Sequence, residues 1–179
     1  MNSVTPAGPS LPRIERLHER HPGFTEAISQ AYAEAAAVCL SRHHSSPRSL
    51  GVSSEGGSRD YTVEWSQADD ALQRAYANRD DATEFGAYGL ALSAAEAFFG
   101  LLAVSRADVR TGADYYLAAQ PSPDSLENLI RLEVSGTDRG TSPMVARRLR
   151  EKVEQLRRGD PNGPAFAVAV GFQVLRIMF

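Results

Sequence analysis

The stretch that most restricts the fold is the last one, PAFAVAVGFQVLRIMF, residues 164–179, which is β-branched and apolar almost without interruption. A strand with no polar alternation needs cover on both faces, so the stretch predicts a buried strand lying parallel to its partner in an α/β sheet. The segment before it, opening at Ser142-Pro143 with Ser at the N-cap and Pro at the first helical position, predicts a helix that Gly159 and Pro161 end.

Further back, three short alternating segments, LLAVSRA, ADYYLA and LIRLEVSG, are separated by a VRTG turn and a loop rich in Pro and Ser. They predict an antiparallel meander. The meander follows a segment from about Ala82 to Phe99 that is apolar nearly all round, which predicts a buried helix, and Asp81 with Glu84 forms a capping-box pattern at its start. From residue 82 onward the order is therefore helix, three strands, helix, strand.

The first half is read as an extension of this core. Residues 1–12 carry three prolines and no apolar periodicity, and are expected to be a disordered lead. Phe24, Ile28, Ala31, Ala35, Val38 and Cys39 recur at helical spacing up to about His43, and Pro47 forbids continuation. SLGVSSEGGSRDYTVEWS then predicts two strands around a Gly-Gly turn, with Tyr61, Val63 and Trp65 on one face. A short helix in SQADDALQRAYANRDD breaks near Asn78. One domain over residues 13–179 is expected, with helix plus hairpin at 22–66 and the core at 82–179; 179 residues suit a single core.

Composition narrows the function. The single Cys39 excludes an intramolecular disulfide framework and a Cys-rich zinc module, and fits a reducing cytoplasm. No run of about 18 apolar residues offers a membrane span, so no membrane partner is expected. A net charge of −3 and a pI near 5.8 argue against a general nucleic-acid coat. Of the 19 basic residues only Lys152 is a lysine. The glycines form neither GxGxxG nor GxxxxGK[ST], and no Ser-His-Asp spacing is recognisable.

Strand alternation puts Arg131, Glu133 and Ser135 on one face of the third meander strand. Asp114 opens the antiparallel strand before it, so Asp114 and Glu133 can meet. The preceding helix returns Glu84 to the level of Asp114, because about 17 helical residues at about 1.5 Å match about seven extended residues at about 3.3 Å. Glu96 falls at the opposite end. Three carboxylates at one sheet end repel one another unless a cation joins them, and hard oxygen ligands suit Mg²⁺ or Mn²⁺. Lys152 shares the helix stripe Val145, Leu149, Lys152, Val153, Leu156 and so points at the sheet. An ammonium there can lower the pKa of water or stabilise a pentavalent phosphate.

This order of elements, with Glu84 on the first helix, Asp114 in GADYY and Glu133 in RLEVSG, resembles the PD-(D/E)xK restriction-endonuclease-like core over residues 82–175. The resemblance implies a Mg²⁺-dependent nucleic-acid phosphodiesterase in which Glu84, Asp114 and Glu133 hold the metal and Asp114, Glu133 and Lys152 carry the chemistry. The motif lysine is replaced by Ser135, and some members of the superfamily carry that lysine on the following helix, where Lys152 lies. RHHSSP, VEW, DATEFGAY and TGADYY also resemble a group of bacterial proteins, a likeness that implies no mechanism.

Blander readings stand beside these: Glu84 as half of a capping box, Glu133 in an ion pair with Arg131, Lys152 snorkelling, and His43 and His44 closing a helix. Arg147, Arg148, Arg150, Arg157 and Arg158 form either a solvated or a phosphate-binding face. The rival class is a catalytically inactive interaction protein of a bacterial defence or toxin-associated system. It would bind a protein partner, or form a homodimer, through the first helix or the apolar VLRIMF strand.

Overall fold

The computed structural model describes residues 8–108, 112–120, 129–158 and 163–179. A 3₁₀ turn at Ile14–Glu19 leads to α1 (Glu26–Ser41), a hairpin of β1 (Arg48–Ser54) and β2 (Gly57–Val63), α2 (Asp70–Ala75) and α3 (Arg79–Phe99). There follow β3 (Leu102–Arg106), β4 (Tyr115–Ala118), β5 (Ile130–Thr137), α4 (Ser142–Arg158), β6 (Ala165–Gly171) and β7 (Arg176–Met178). The protein is α/β, and the expected sequence of helix, meander, helix and parallel strand is present. β3, β4 and β5 pair antiparallel, and β6 lies parallel to β5 after α4.

The sheet is larger than the sequence implies. Its seven strands run β2-β1-β7-β6-β5-β4-β3. The last apolar stretch is two strands and not one: the chain reverses after Gly171, with Leu175 at φ 50°, and β7 returns antiparallel to β6. β7 also pairs parallel with β1, which merges the hairpin into the same sheet. Gln173 and the exposed Arg176 are the only polar interruptions in that run, too weak a signal to announce a turn. Of the expected disordered lead, residues 1–7 lie outside the described residues. Ser10 bridges Thr62 on the edge strand β2, and Leu11 is buried, because paired backbone and an apolar side chain hold this segment down.

α1 and α3 pack on each other, and the alternation of β5 sorts its two faces. An added Cβ at Gly136 would meet Thr83 O of α3 at 2.7 Å, so Leu132, Val134 and Gly136 face α3, while Glu133 turns toward Lys152 of α4. Gly86 lets α3 approach α1 closely, since a Cβ there would lie 3.0 Å from the Ala36 backbone. The buried face of α1 is rotated from the expected stripe: Ile28 is 43% exposed, and Ser29 and Tyr32 are buried in its place. Ser29 Oγ accepts the His18 N–H, and the Tyr32 ring stacks among aromatics, which fixes that rotation.

α3 begins earlier than the capping box places it. Asn78 is the N-cap, its side chain accepting the Asp80 N–H and donating to Asp81. Glu84 is therefore a full turn inside the helix and has no capping role. α4 likewise starts one residue early, with the Met144 and Val145 N–H groups bonded to Thr141 O. Among the described residues no helix is long and apolar enough to cross a membrane.

Candidate active site

The site follows from unequal strand lengths. β4 begins at Tyr115, opposite Leu132, whereas β5 continues to Thr137, so among the described residues the edge of β5 beyond Leu132 has no strand partner on that side. Asp114, one residue ahead of β4, supplies the missing bond: its own N–H donates to Leu132 O at 2.8 Å, and its Oδ2 accepts the Val134 N–H at 2.7 Å. Because this edge is open, groups from both faces of the sheet meet around it.

Glu133, 6% exposed, receives a hydrogen bond from Lys152 Nζ at 2.6 Å. Burial pushes the Glu133 carboxyl above the ordinary carboxylate range; the hydrogen bond from Lys152 pulls it back, and the neighbouring Asp114 carboxyl pushes it up again. The net shift is upward. A carboxyl held in this way binds a proton readily, and a second cation would compete for the same place.

From the other face, Tyr88 Oη lies 2.7 Å from Glu84 Oε1 and 2.9 Å from Asp114 Oδ1. A phenol carries one proton, so it satisfies one carboxylate at a time. Burial, followed by the two carboxylates, raises the Tyr88 pKa strongly, which keeps the phenol protonated. Glu84, Tyr88, Asp114, Glu133 and Lys152 are thus gathered at this edge of β5, Glu84 and Asp114 through the Tyr88 hydroxyl and Glu133 through Lys152. A cleft of about 250 Å³ opens beside it, walled by Glu84, Tyr88, Val134, Ser135 and Lys152.

An aromatic brace stands behind Tyr88. The Arg106 guanidinium lies 4.9 Å from the Tyr88 ring centroid and 5.5 Å from that of Tyr115, and donates to Tyr32 Oη at 2.7 Å. Tyr32 and Tyr115 share a hydroxyl contact of 2.6 Å. Arg106 therefore binds tyrosines and no carboxylate among its hydrogen bonds. Sequence reasoning missed Tyr88, Tyr32 and Arg106; the Glu84/Tyr88 spacing of four, which puts both on one helix face, is the one signal that could have found Tyr88.

The other candidates are occupied elsewhere. His43 Nε2 contacts Asp138 Oδ1 at 3.0 Å and His44 Nε2 faces the Phe172 and Gln173 carbonyls at 3.1 Å, so both histidines tie the end of α1 to the sheet. Cys39 is fully buried and its thiol is pushed up to about 11, mainly by burial, which makes it a poor nucleophile. Glu96 lies at the far end of α3 with Arg20 and His21.

The donor chemistry around Asp114 and Glu133 fits a hard divalent cation, which commonly takes one or two protein carboxylates and fills its other positions with water and substrate oxygens. Among the described residues no group of three or more His, Cys, Asp or Glu side chains stands ready to hold a metal ion. Asp114 is tied to the backbone N–H of Val134, next to Glu133, whereas Glu84 connects to Asp114 through Tyr88. Comparison with protein-family models, curated proteins and solved structures finds no match to this chain.

Proposed function

We propose that this chain is a divergent Mg²⁺-dependent nucleic-acid phosphodiesterase built on a restriction-endonuclease-like core. The observation that supports the reading is the bond that ties Asp114 Oδ2 to the Val134 N–H, directly after Glu133 on the edge of β5, with the only lysine of the chain 2.6 Å from Glu133. Asp114 and Glu133 are the residues that would hold the metal, with Glu84 joining through Tyr88. The ion, when bound, supplies charge neutralisation of a phosphodiester and a lowered water pKa.

The chain's own groups do the rest. Lys152, on the cleft wall, faces the place where negative charge grows on a phosphate and stabilises it. Tyr88 orients Asp114 and Glu84, and Arg106 holds the Tyr88 ring. The rival interaction-protein reading drew on the apolar VLRIMF stretch, and that stretch is used within the chain: Ile177 is fully buried in β7, and the Phe179 ring packs on Phe99 at 5.0 Å.

The deciding experiment is calorimetric titration of Mn²⁺ into the wild type, Asp114→Ala and Glu133→Ala, followed by incubation of each with labelled DNA and RNA strands. Saturable binding and strand cleavage in the wild type, both abolished in the two variants, are expected. No binding up to millimolar Mn²⁺, together with no cleavage, overturns the reading.

A further inference from the structure

A second cleft, of about 330 Å³, adjoins the first and shares Asp80, Thr83 and Gly136 with it. Its rim carries Arg79, Arg139, Arg147 and Arg148. We infer that this arginine cleft is a binding subsite for a backbone phosphate of a nucleic-acid strand, next to the phosphate that reaches Lys152.

The arginines are under-compensated. Arg147 and Arg148 both lean on one carboxylate, Glu151, at 3.6 and 3.3 Å, with more than half of each side chain exposed. Arg79 stands 3.9 Å from Asp138, but that carboxylate is already held by Arg42 at 3.4 Å and His43 at 3.0 Å. Arg139 is exposed and has no ion-pair partner among the described residues. A phosphate suits such arginines, since its oxygens accept the planar guanidinium fork in pairs.

Two features favour a strand over a free anion. The arginines come from separate elements, the start of α3, the turn after β5 and the second turn of α4, so they surround a volume and do not form one helix face. The shared wall makes the arginine cleft and the carboxylate cleft neighbours. A polymer with phosphates in succession therefore fits both, which explains how a chain of net charge −3 can still recruit a polyanion. The role assigned to the adjoining cleft rests on the phosphodiesterase reading; the anion subsite stands on the arginines.

The test measures fluorescence anisotropy of a labelled 20-nucleotide single strand, as DNA and as RNA, in EDTA so that no metal-dependent step intervenes. The wild type, Arg139→Ala/Arg148→Ala and Arg59→Ala, an exposed arginine of β2 outside both clefts, are compared over a salt series, with circular dichroism to verify folding. The double variant is expected to bind about tenfold more weakly, and its slope of log K against log salt to fall by about 1.4, about 0.7 for each phosphate-neutralising arginine removed on a single strand. Arg59→Ala is expected to stay within about twofold of wild type on the same strand, as an arginine away from both clefts. Equal binding by the double variant and wild type, or no binding by wild type, overturns the subsite. Mn²⁺-dependent cleavage with unchanged KM in the double variant overturns the subsite and leaves the phosphodiesterase reading intact. Arginine-dependent binding without cleavage in any protein does the reverse.

Discussion

Lys152 Nζ lies 2.6 Å from Glu133 Oε1, so that a cation on α4 is fixed to the middle of β5 across the crossover that makes β5 and β6 parallel. The Glu133 side chain is 8% exposed and that of Lys152 25%. Replacing Lys152 by Ala leaves a buried carboxyl beside Asp114 with no counter-charge, and we expect a loss of about 2 kcal/mol by urea unfolding at pH 7. The loss has a pH signature. Without Lys152 the already raised Glu133 pKa rises further, so the folded state binds a proton more tightly than the unfolded chain, and the deficit grows as pH climbs above the ordinary carboxylate range. It is expected to shrink toward acid pH, and Glu133→Ala in the same background to restore part of the loss. A deficit independent of pH would show that the ammonium acts only through packing.

Tyr88 meets two carboxylates with one proton. Tyr88→Phe keeps the ring against Arg106 and removes the hydroxyl, so its expected cost is modest, about 1 kcal/mol, the net worth of one hydrogen bond. The larger effect is expected on the site: with Asp114 Oδ1 no longer oriented, strand cleavage falls in kcat while KM stays near the wild-type value. Unchanged kcat would remove Tyr88 from the positioning of Asp114.

Gly136 sets the gap between β5 and α3. A methyl group there would meet Thr83 O at 2.7 Å, Thr83 Cγ2 at 2.8 Å and Ala87 Cβ at 3.0 Å, and a helix backbone cannot swing aside as a flexible side chain can. Gly136→Ala is expected to cost about 1–3 kcal/mol in chemical denaturation, the range for overpacking. It also moves the turn that carries Glu84. Gly57, where nothing lies within 4 Å of an added Cβ but φ is 139°, is the control that separates backbone strain from overpacking.

What the sequence made legible follows from which forces act locally. The strongly periodic pieces, α4 with its inward stripe and β5 with its alternation, let Lys152 and Glu133 be placed on facing surfaces before any tertiary information. Asp114 could be added because a meander must bring the start of one strand beside the end of the next. The start of α3 lies earlier than the capping box implies because Asn78, Asp81 and Glu84 all suit a helix beginning, and it is Asn78 that caps, its side chain accepting the Asp80 N–H. Tyr32 and Arg106 were out of reach: they meet from positions 74 residues apart, and no local periodicity encodes such a contact. β7 was hidden inside a run of apolar residues whose turn is set by packing against Val145 and pairing with β1, not by a turn motif.

Glu96 near the end of α3 and Glu133 in β5 are expected to respond to pH with opposite signs. Burial acts to raise the Glu96 carboxyl, but hydrogen bonds from His21 and Arg20, at 3.0 and 2.7 Å, outweigh it and hold the carboxyl below its ordinary value. A lowered folded pKa means that the unfolded chain takes up the proton first, so Glu96 contributes stability above the unfolded carboxylate pKa and loses it as pH falls through the folded value. Glu133 is raised, so its burial costs nothing while it is protonated in both states and is felt as pH rises past the unfolded pKa. Glu96→Gln is therefore expected to lower stability at pH 7 by about 1–2 kcal/mol, the worth of charge-assisted hydrogen bonds, and to flatten the acid limb of the stability curve. Glu133→Gln is expected to leave the acid limb alone and flatten the decline on its neutral side. Thermal unfolding of the wild type and both variants between about pH 3 and 8 checks this, since the window brackets the ordinary carboxylate pKa. Parallel curves for the two variants would mean that these carboxyls do not titrate in the way their surroundings dictate.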